Sequence, residues 1–158
     1  RTSSAASDVY KRQHLFYLCN MLTNVSYNDK GQREYIDKLV GKPFTLMNRL
    51  KLGGVGSPKL HVVSSSKEID SLFVLDHNEN TCNIELRPNG VILRFRSLLE
   101  TYGLIIPYYK LTIFKGTGEA YSIHMEHHKV TISAKSKNIR EFFKKIQQQK
   151  ACISGNYL

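Results

Sequence analysis

The stretch from Cys82 to Arg96, CNIELRPNGVILRFR, decides the fold of this 158-residue chain. Apolar and polar residues alternate over 82–87 and again over 91–96, as they do in strands that bury one face. The dipeptide Asn89-Gly90 lies between the two runs, and both of its residues accept positive φ. The stretch therefore predicts an antiparallel β-hairpin that turns at Asn89-Gly90.

Further short apolar or alternating runs, separated by turn residues, extend this hairpin into a sheet. A brief β-prone run, Leu60–Val63, comes first, and the His127-His128 pair is expected to form the turn of the last hairpin. Counted from Leu72, the predicted strands are 72–75, 82–87, 91–96, 102–106, 111–114, 121–126 and 130–134. The sequence thus predicts a seven-stranded antiparallel sheet.

The C-terminal segment has helical periodicity instead. Ile139, Phe142, Phe143 and Ile146 follow the i, i+3, i+4, i+7 spacing of one apolar stripe, and Asn138 is expected to cap the helix. The predicted fold class is therefore mainly β (α+β): a bent sheet or partial barrel capped by a C-terminal amphipathic helix.

The residues before the sheet predict a short helical extension. Helical spacing occurs over 14–25 and over 32–40, with Gly41 as the stop of the second helix, and the segment 49–58 is rich in glycine. We divide the chain into residues 1–13, an N-terminal helical extension and glycine-rich linker (14–57), a β domain with its helix (58–150) and a tail (151–158).

Residues 1–13 resemble the translation of a sequencing adapter, through the run Asp8–Gln13. We interpret them as an artefact that leaves a fragment beginning near His14, or as a disordered native N terminus. The three cysteines, Cys19, Cys82 and Cys152, are dispersed, which argues against a disulfide framework or a zinc knuckle and favours a reducing, cytoplasmic location.

The net charge of +10 favours anionic partners, although many basic domains are simply soluble. Arg94 and Arg96 share one strand face, and Arg87 lies across the hairpin. The candidate anion-binding residues are Arg87, Arg94, Arg96 and Lys110, and the candidate basic helix face is Lys137, Arg140, Lys144 and Lys145. The alternative is an ordinary solvated face.

Residues 68–150 resemble the pleckstrin-homology superfold, including its bacterial and GRAM-like relatives. The residues that carry the resemblance are the Asn89-Gly90 hairpin, the stretch Ile105–Leu111, the hairpin Tyr121–Ala134 and the helix Ile139–Ile146. The resemblance implies that the helix plugs the open end of the sheet, with Phe142 or Phe143 filling the space of the tryptophan usual in eukaryotic members. It also implies a non-catalytic module, peripheral to a membrane, that binds anionic lipid headgroups or a protein partner.

Other chemistry finds less support in the sequence. His124, His127 and His128 form an H-x-x-H-H pattern with Glu126 as the nearest oxygen donor, but a fourth ligand is not evident, so no metal site is predicted. No nucleotide loop, nucleophile motif or acid–base pair occurs, which predicts neither enzyme nor cofactor. Nucleic-acid binding through the basic sheet face remains the alternative function.

Overall fold

The computed structural model describes residues 21–77 and 79–155. Eight strands and four helices lie within these residues. In chain order they are β1 (Leu22–Asn24), α1 (Lys30–Val40), α2 (Leu46–Lys51), β2 (Leu60–Ser65), α3 (Lys67–Val74), β3 (Thr81–Arg87), β4 (Gly90–Ser97), β5 (Glu100–Pro107), β6 (Thr112–Lys115), β7 (Ala120–Met125), β8 (His128–Ser133) and α4 (Lys137–Gly155).

All eight strands form one sheet in the order β1-β5-β4-β3-β2-β8-β7-β6, with antiparallel pairing throughout. The short link 108–111 joins β5 to β6, although six strand spacings separate them in this order. A flat sheet would hold them about 29 Å apart, whereas the chain from Pro107 to Thr112 reaches at most about 18 Å. The sheet must therefore bend round on itself.

The prediction of a mainly antiparallel β fold with a C-terminal helix is confirmed. The strand predicted at Leu72–Leu75 is wrong, because residues 67–74 form α3. Ile69 and Phe73, one helical turn apart, are its buried residues, whereas Ser71 between them is exposed; in a strand all three would share one face. The strand β2 (Leu60–Ser65) pairs with β3 and β8, so it takes the place of the first predicted strand in the sheet.

The helix predicted over 14–25 is contradicted at its end. Residues 22–24 form β1, which pairs with β5 from Leu22↔Leu104 to Asn24↔Tyr102. The edge of β5 offers backbone hydrogen bonds that local helical periodicity does not reveal. The rest of this prediction, over 14–20, and the adapter-like residues 1–13 lie outside the described residues.

The second predicted helix is confirmed as α1. Its N-cap, Asp29, accepts a hydrogen bond from the Gly31 amide at 3.0 Å, and Gly41 follows its last residue with φ of 86°. The apolar side of α1 packs on the outer face of the sheet, where Val40 forms a small second core with Ile92 and Ile105. The extension therefore covers part of the sheet.

The central hairpin is confirmed, but its turn differs from the prediction. Arg87 pairs with Gly90, so Pro88 and Asn89 form the turn and Gly90 begins β4. Neither Asn89 nor Gly90 has positive φ. Glycine is required at position 90 for another reason, because a Cβ atom there would lie 2.4 Å from the Ile106 carbonyl oxygen.

The apolar stripe of the C-terminal helix is buried in the main core. Phe143 is fully buried, and its ring stacks on that of Tyr121 with the centroids 4.4 Å apart. The helix begins at Lys137, so Asn138 is not its cap, and it continues through Gly155, into the segment 151–158 that was assigned to a tail. The last helix and the sheet therefore share one core.

Candidate functional site

Arg87, the first residue of the predicted anion-binding strip, is buried in an ion-pair cluster. Its Nε atom lies 2.7 Å from Glu85 Oε1, and its Nη1 atom lies 3.3 Å from Asp37 Oδ1 on α1. Nη1 also donates to the Gly41 carbonyl oxygen at 3.3 Å. Arg87 therefore fastens α1 to the sheet, a contact between residues 50 positions apart.

Arg94 shares the carboxylate of Glu85 with Arg87. Burial alone would raise the pKa of Glu85, but the hydrogen bonds and positive charges of Arg94 and Arg87 outweigh burial and lower it. Because both guanidinium groups are already paired with carboxylates, they offer an incoming anion less uncompensated positive charge than the sequence pattern suggests. Arg94 keeps 37% of its side chain exposed.

The other two residues of the strip lie apart from this cluster. Arg96 is exposed and lines a shallow pocket with Asp76 and Glu79. Lys110 Nζ binds Glu126 Oε1 at 2.5 Å on the β7–β8 turn, and this hydrogen bond raises the pKa of Lys110. The structure thus brings Arg87 and Arg94 together around Glu85 and gives Arg96 and Lys110 separate surroundings.

Three of the four residues on the predicted basic helix face have internal partners. Lys137 lies 3.7 Å from Glu141, and Arg140 donates to the Ala134 and Lys135 carbonyl oxygens at 3.1 and 2.9 Å. Lys145 Nζ donates to the Gly54 carbonyl oxygen at 3.3 Å. Lys144 is exposed and has no ion pair within the described part of the chain.

Sequence reasoning missed an exposed apolar surface on α2. Leu46, Met47 and Leu50 are 73%, 65% and 70% exposed, although this short helix is part of a folded domain. Their i, i+1, i+4 spacing is the available signal, but the glycine content of 49–58 predicts a linker there, whereas α2 extends to Lys51. We call these three side chains the α2 apolar surface.

The α2 apolar surface is held in place from both sides. Phe44, just before α2, packs against the main core, and its carbonyl oxygen accepts a hydrogen bond from Arg49 Nε at 3.0 Å. After α2 the Gly54 amide donates to the Arg49 carbonyl oxygen at 2.9 Å. The glycine-rich segment then bonds to β3, where the Ser57 amide donates to the Ile84 carbonyl oxygen at 2.8 Å. The outward orientation of the apolar residues is therefore fixed by the fold.

The surroundings of α2 are basic. Lys42, Arg49 and Lys51 are all exposed, and the Lys145–Gly54 hydrogen bond brings the middle of α4 alongside. No Asp or Glu occurs between Asp37 and Glu68 in the sequence. The α2 apolar surface therefore lies within a positively charged stretch of chain.

Comparison of the chain with protein-family models, curated proteins and solved structures finds no match. Among the described residues, no helix combines the length and the apolar character that crossing a membrane requires.

A polar cavity of about 540 Å³ lies between α1 and the sheet. Arg33, Arg87 and Arg94 line it together with Asp29 and Asp37. Because Arg87 bridges to Asp37 and both sheet arginines bind Glu85, the charges of this cavity are largely compensated internally. The cavity thus offers no surplus of positive charge comparable to that around α2.

The histidine pattern is divided by the fold. The β7–β8 turn consists of Glu126 and His127, not of His127 and His128, because Met125 pairs with His128. His128 is buried, and burial lowers its pKa. His124 lies edge-on to Phe114, with the ring centroids 5.0 Å apart. The other two histidines contact each other instead.

Proposed function

We propose that this chain is a non-catalytic binding module of pleckstrin-homology-like shape that associates with an anionic membrane surface through α2. The shape is supported by seven consecutive strands, β2 to β8, in which the first and the last are hydrogen-bonded neighbours. This strand order is that expected of a partial barrel in which β5 and β6 do not pair with each other. The stacking of Phe143 on Tyr121 agrees with a last helix that plugs the barrel.

The observation that carries the proposal is the α2 apolar surface with its basic flanks. Amphipathic helices that lie in the membrane interface have this arrangement, with Leu-type residues in the acyl boundary and Lys or Arg among the headgroups. Full burial of a Leu or Met side chain contributes ~1.5–3 kcal/mol, and a basic residue near an anionic surface contributes ~1 kcal/mol. Three apolar side chains and three basic residues together support a reversible, salt-sensitive association of the chain with the membrane.

The same surface could in principle bind an acidic protein partner or nucleic acid. We favour the membrane because the three apolar side chains project outward from α2 and lysines flank them. This arrangement suits insertion into a membrane interface. The nucleic-acid alternative requires the sheet face, but α1 covers Ile92 and Ile105 there and Arg87 is buried. These other partners become outcomes of the test.

The test is co-sedimentation with vesicles of phosphatidylcholine alone or mixed with phosphatidylserine, across a salt series. We expect binding only to the anionic vesicles, with a loss at high salt because surface charges are screened. Leu46→Ser with Leu50→Ser should weaken the binding at least tenfold. The matched control is Leu99→Ser, because Leu99 is 87% exposed and so resembles the α2 residues in exposure. It lies in the β4–β5 turn, at the other end of β4 from the Pro88–Asn89 turn.

Equal binding to neutral and anionic vesicles, or no effect of the α2 substitutions, would contradict the proposal. A shift of RNA or DNA at the same salt, without vesicle binding, would favour the nucleic-acid alternative. Binding to neither would leave a protein partner.

A further inference from the structure

Three potential metal ligands from distant parts of the chain meet where α3 begins. Glu68 lies in the first turn of α3, His127 lies in the β7–β8 turn, and His128 is the first residue of β8. Glu68 Oε2 lies 3.3 Å from His128 Nδ1 and 3.4 Å from His127 Nε2. The three ligand atoms all lie within 4.8 Å of one another.

His128 supplies an independent indication that this cluster binds something. Its side chain is only 2% exposed, and its Nδ1 atom is buried with no hydrogen-bond partner among the described residues. Buried polar atoms in proteins are almost always satisfied, and leaving one without a partner costs about 1–3 kcal/mol. The unsatisfied nitrogen lies 3.3 Å from the same carboxylate oxygen that His127 approaches.

We propose that Glu68, His127 and His128 bind a divalent transition-metal ion, zinc being the expected one. Zinc takes imidazole and carboxylate ligands at about 2.0–2.2 Å in a tetrahedral arrangement, which places neighbouring ligand atoms about 3.3–3.6 Å apart. The two N···O distances of 3.4 and 3.3 Å agree with that spacing. Two imidazoles and one carboxylate also exclude magnesium and calcium as preferred ions, since those take oxygen ligands.

The fold explains how consecutive histidines serve one site. Successive residues of a strand point to opposite faces, but His127 occupies a two-residue turn in which Glu126 has φ of 54°. The turn brings the two imidazole rings to a centroid separation of 4.1 Å. Both rings can therefore contribute a nitrogen to the same ion.

The start of α3 is fixed beside β8. The Ser66 amide donates to the Lys129 carbonyl oxygen at 2.8 Å, one residue after His128. The Ser66 hydroxyl is also buried without a hydrogen-bond partner in the described part of the chain. Glu68 is therefore held close to the two histidines by backbone contacts that do not involve the metal.

One coordination position faces solvent. Glu68 and His127 are 53% and 62% exposed, so an ion would be bound from the surface and would keep a water as its fourth ligand. The ion would join α3 to the β7–β8 hairpin, two elements far apart in sequence. Its principal effect would therefore be to stabilise this corner of the fold, independently of any membrane binding.

The test is isothermal titration of the full chain with zinc chloride at neutral pH, with magnesium chloride as the ion control. Because thiols also bind zinc, the experiment uses a Cys19→Ser, Cys152→Ser background; the third cysteine, Cys82, is buried. We expect one zinc per chain, no magnesium binding, and a rise in melting temperature with zinc. His127→Ala and Glu68→Gln should each weaken zinc binding at least tenfold.

The matched control is His61→Ala, which removes an exposed histidine outside the cluster. Both test residues are exposed, so their replacement should leave the fold intact, and circular dichroism checks this. Cobalt in place of zinc should give the visible spectrum of a nitrogen and oxygen ligand set. Absence of zinc binding, or binding that neither Glu68→Gln nor His127→Ala weakens, would overturn the proposal.

Discussion

Lys145 Nζ donates a hydrogen bond to the Gly54 carbonyl oxygen at 3.3 Å, across 91 positions of the chain. This contact places the middle of α4, where Lys144 and Lys145 lie, beside the glycine turn that follows α2. Lys144, which is exposed on the same helix, therefore lies near the segment that carries the α2 apolar surface. Two features that are unrelated in sequence thus form one region of the proposed membrane-binding face.

A charge reversal at Lys144 tests this arrangement. Lys144→Glu removes one positive charge and adds a negative one, at ~1 kcal/mol each near an anionic surface. We expect about ten- to thirtyfold weaker partitioning onto phosphatidylserine vesicles at low salt. The comparison is Lys115→Glu on β6, which makes the same charge change on another exposed lysine; an equal effect of both would indicate only a general charge effect.

The stacked pair Phe143–Tyr121 should be a main contribution to stability. Phe143→Ala removes a fully buried ring, and such truncations cost about 3–5 kcal/mol because a cavity remains. Urea unfolding should therefore show a much lower midpoint for this variant than for Lys144→Ala, whose side chain is exposed. Similar midpoints would mean that α4 does not contribute to the core.

The sequence predicted the parts of the fold that depend on local pattern. Alternation from Cys82 to Arg96 and the stripe around Phe143 each report which face of an element is buried, so these elements were placed correctly. The strand at Leu72–Leu75 was wrong, because a four-residue apolar run fits either a strand or a buried helix and only the Ile69–Phe73 contact with the core decides.

Candidate sites were harder to predict, because they depend on contacts between distant residues. Nothing local to Arg87 reveals that Asp37 lies against it, and nothing near His127 points to Glu68. The exposure of Leu46 likewise depends on the neighbouring anchors at Phe44 and Ser57. Sequence pattern named basic residues as candidates for anion binding but could not show which of them were already paired.

Arg87 should matter for stability more than for ligand binding. Arg87→Ala leaves the partly buried Asp37 without its cation and Glu85 with Arg94 alone, and removal of one member of a buried pair costs about 3–5 kcal/mol. Amide hydrogen exchange should show earlier loss of protection in α1, which Arg87 fastens to the sheet. In Arg96→Ala, an exposed position, stability should change by no more than ~0.5 kcal/mol.

The Glu85 carboxylate makes stability depend on pH in the acid range. Its pKa is lowered in the folded protein, despite burial, by Arg94 and Arg87, so the unfolded chain binds the proton more readily. Its stabilising contribution is present above the ordinary glutamate pKa of ~4.3 and is lost as pH falls towards the lowered value. Urea unfolding between neutral pH and pH 3 should therefore show a steeper loss for the wild type than for Glu85→Gln. Parallel curves would contradict this role.

The central claim, membrane association through α2, can be tested with a fluorophore at the proposed contact. The chain contains no tryptophan, so Leu50→Trp and Leu99→Trp each introduce a single one. With phosphatidylserine-containing vesicles, we expect a blue-shifted emission and quenching by brominated lipids for Leu50→Trp only. An unchanged spectrum for Leu50→Trp under conditions where the protein binds the vesicles, or an equal response from Leu99→Trp, would contradict it.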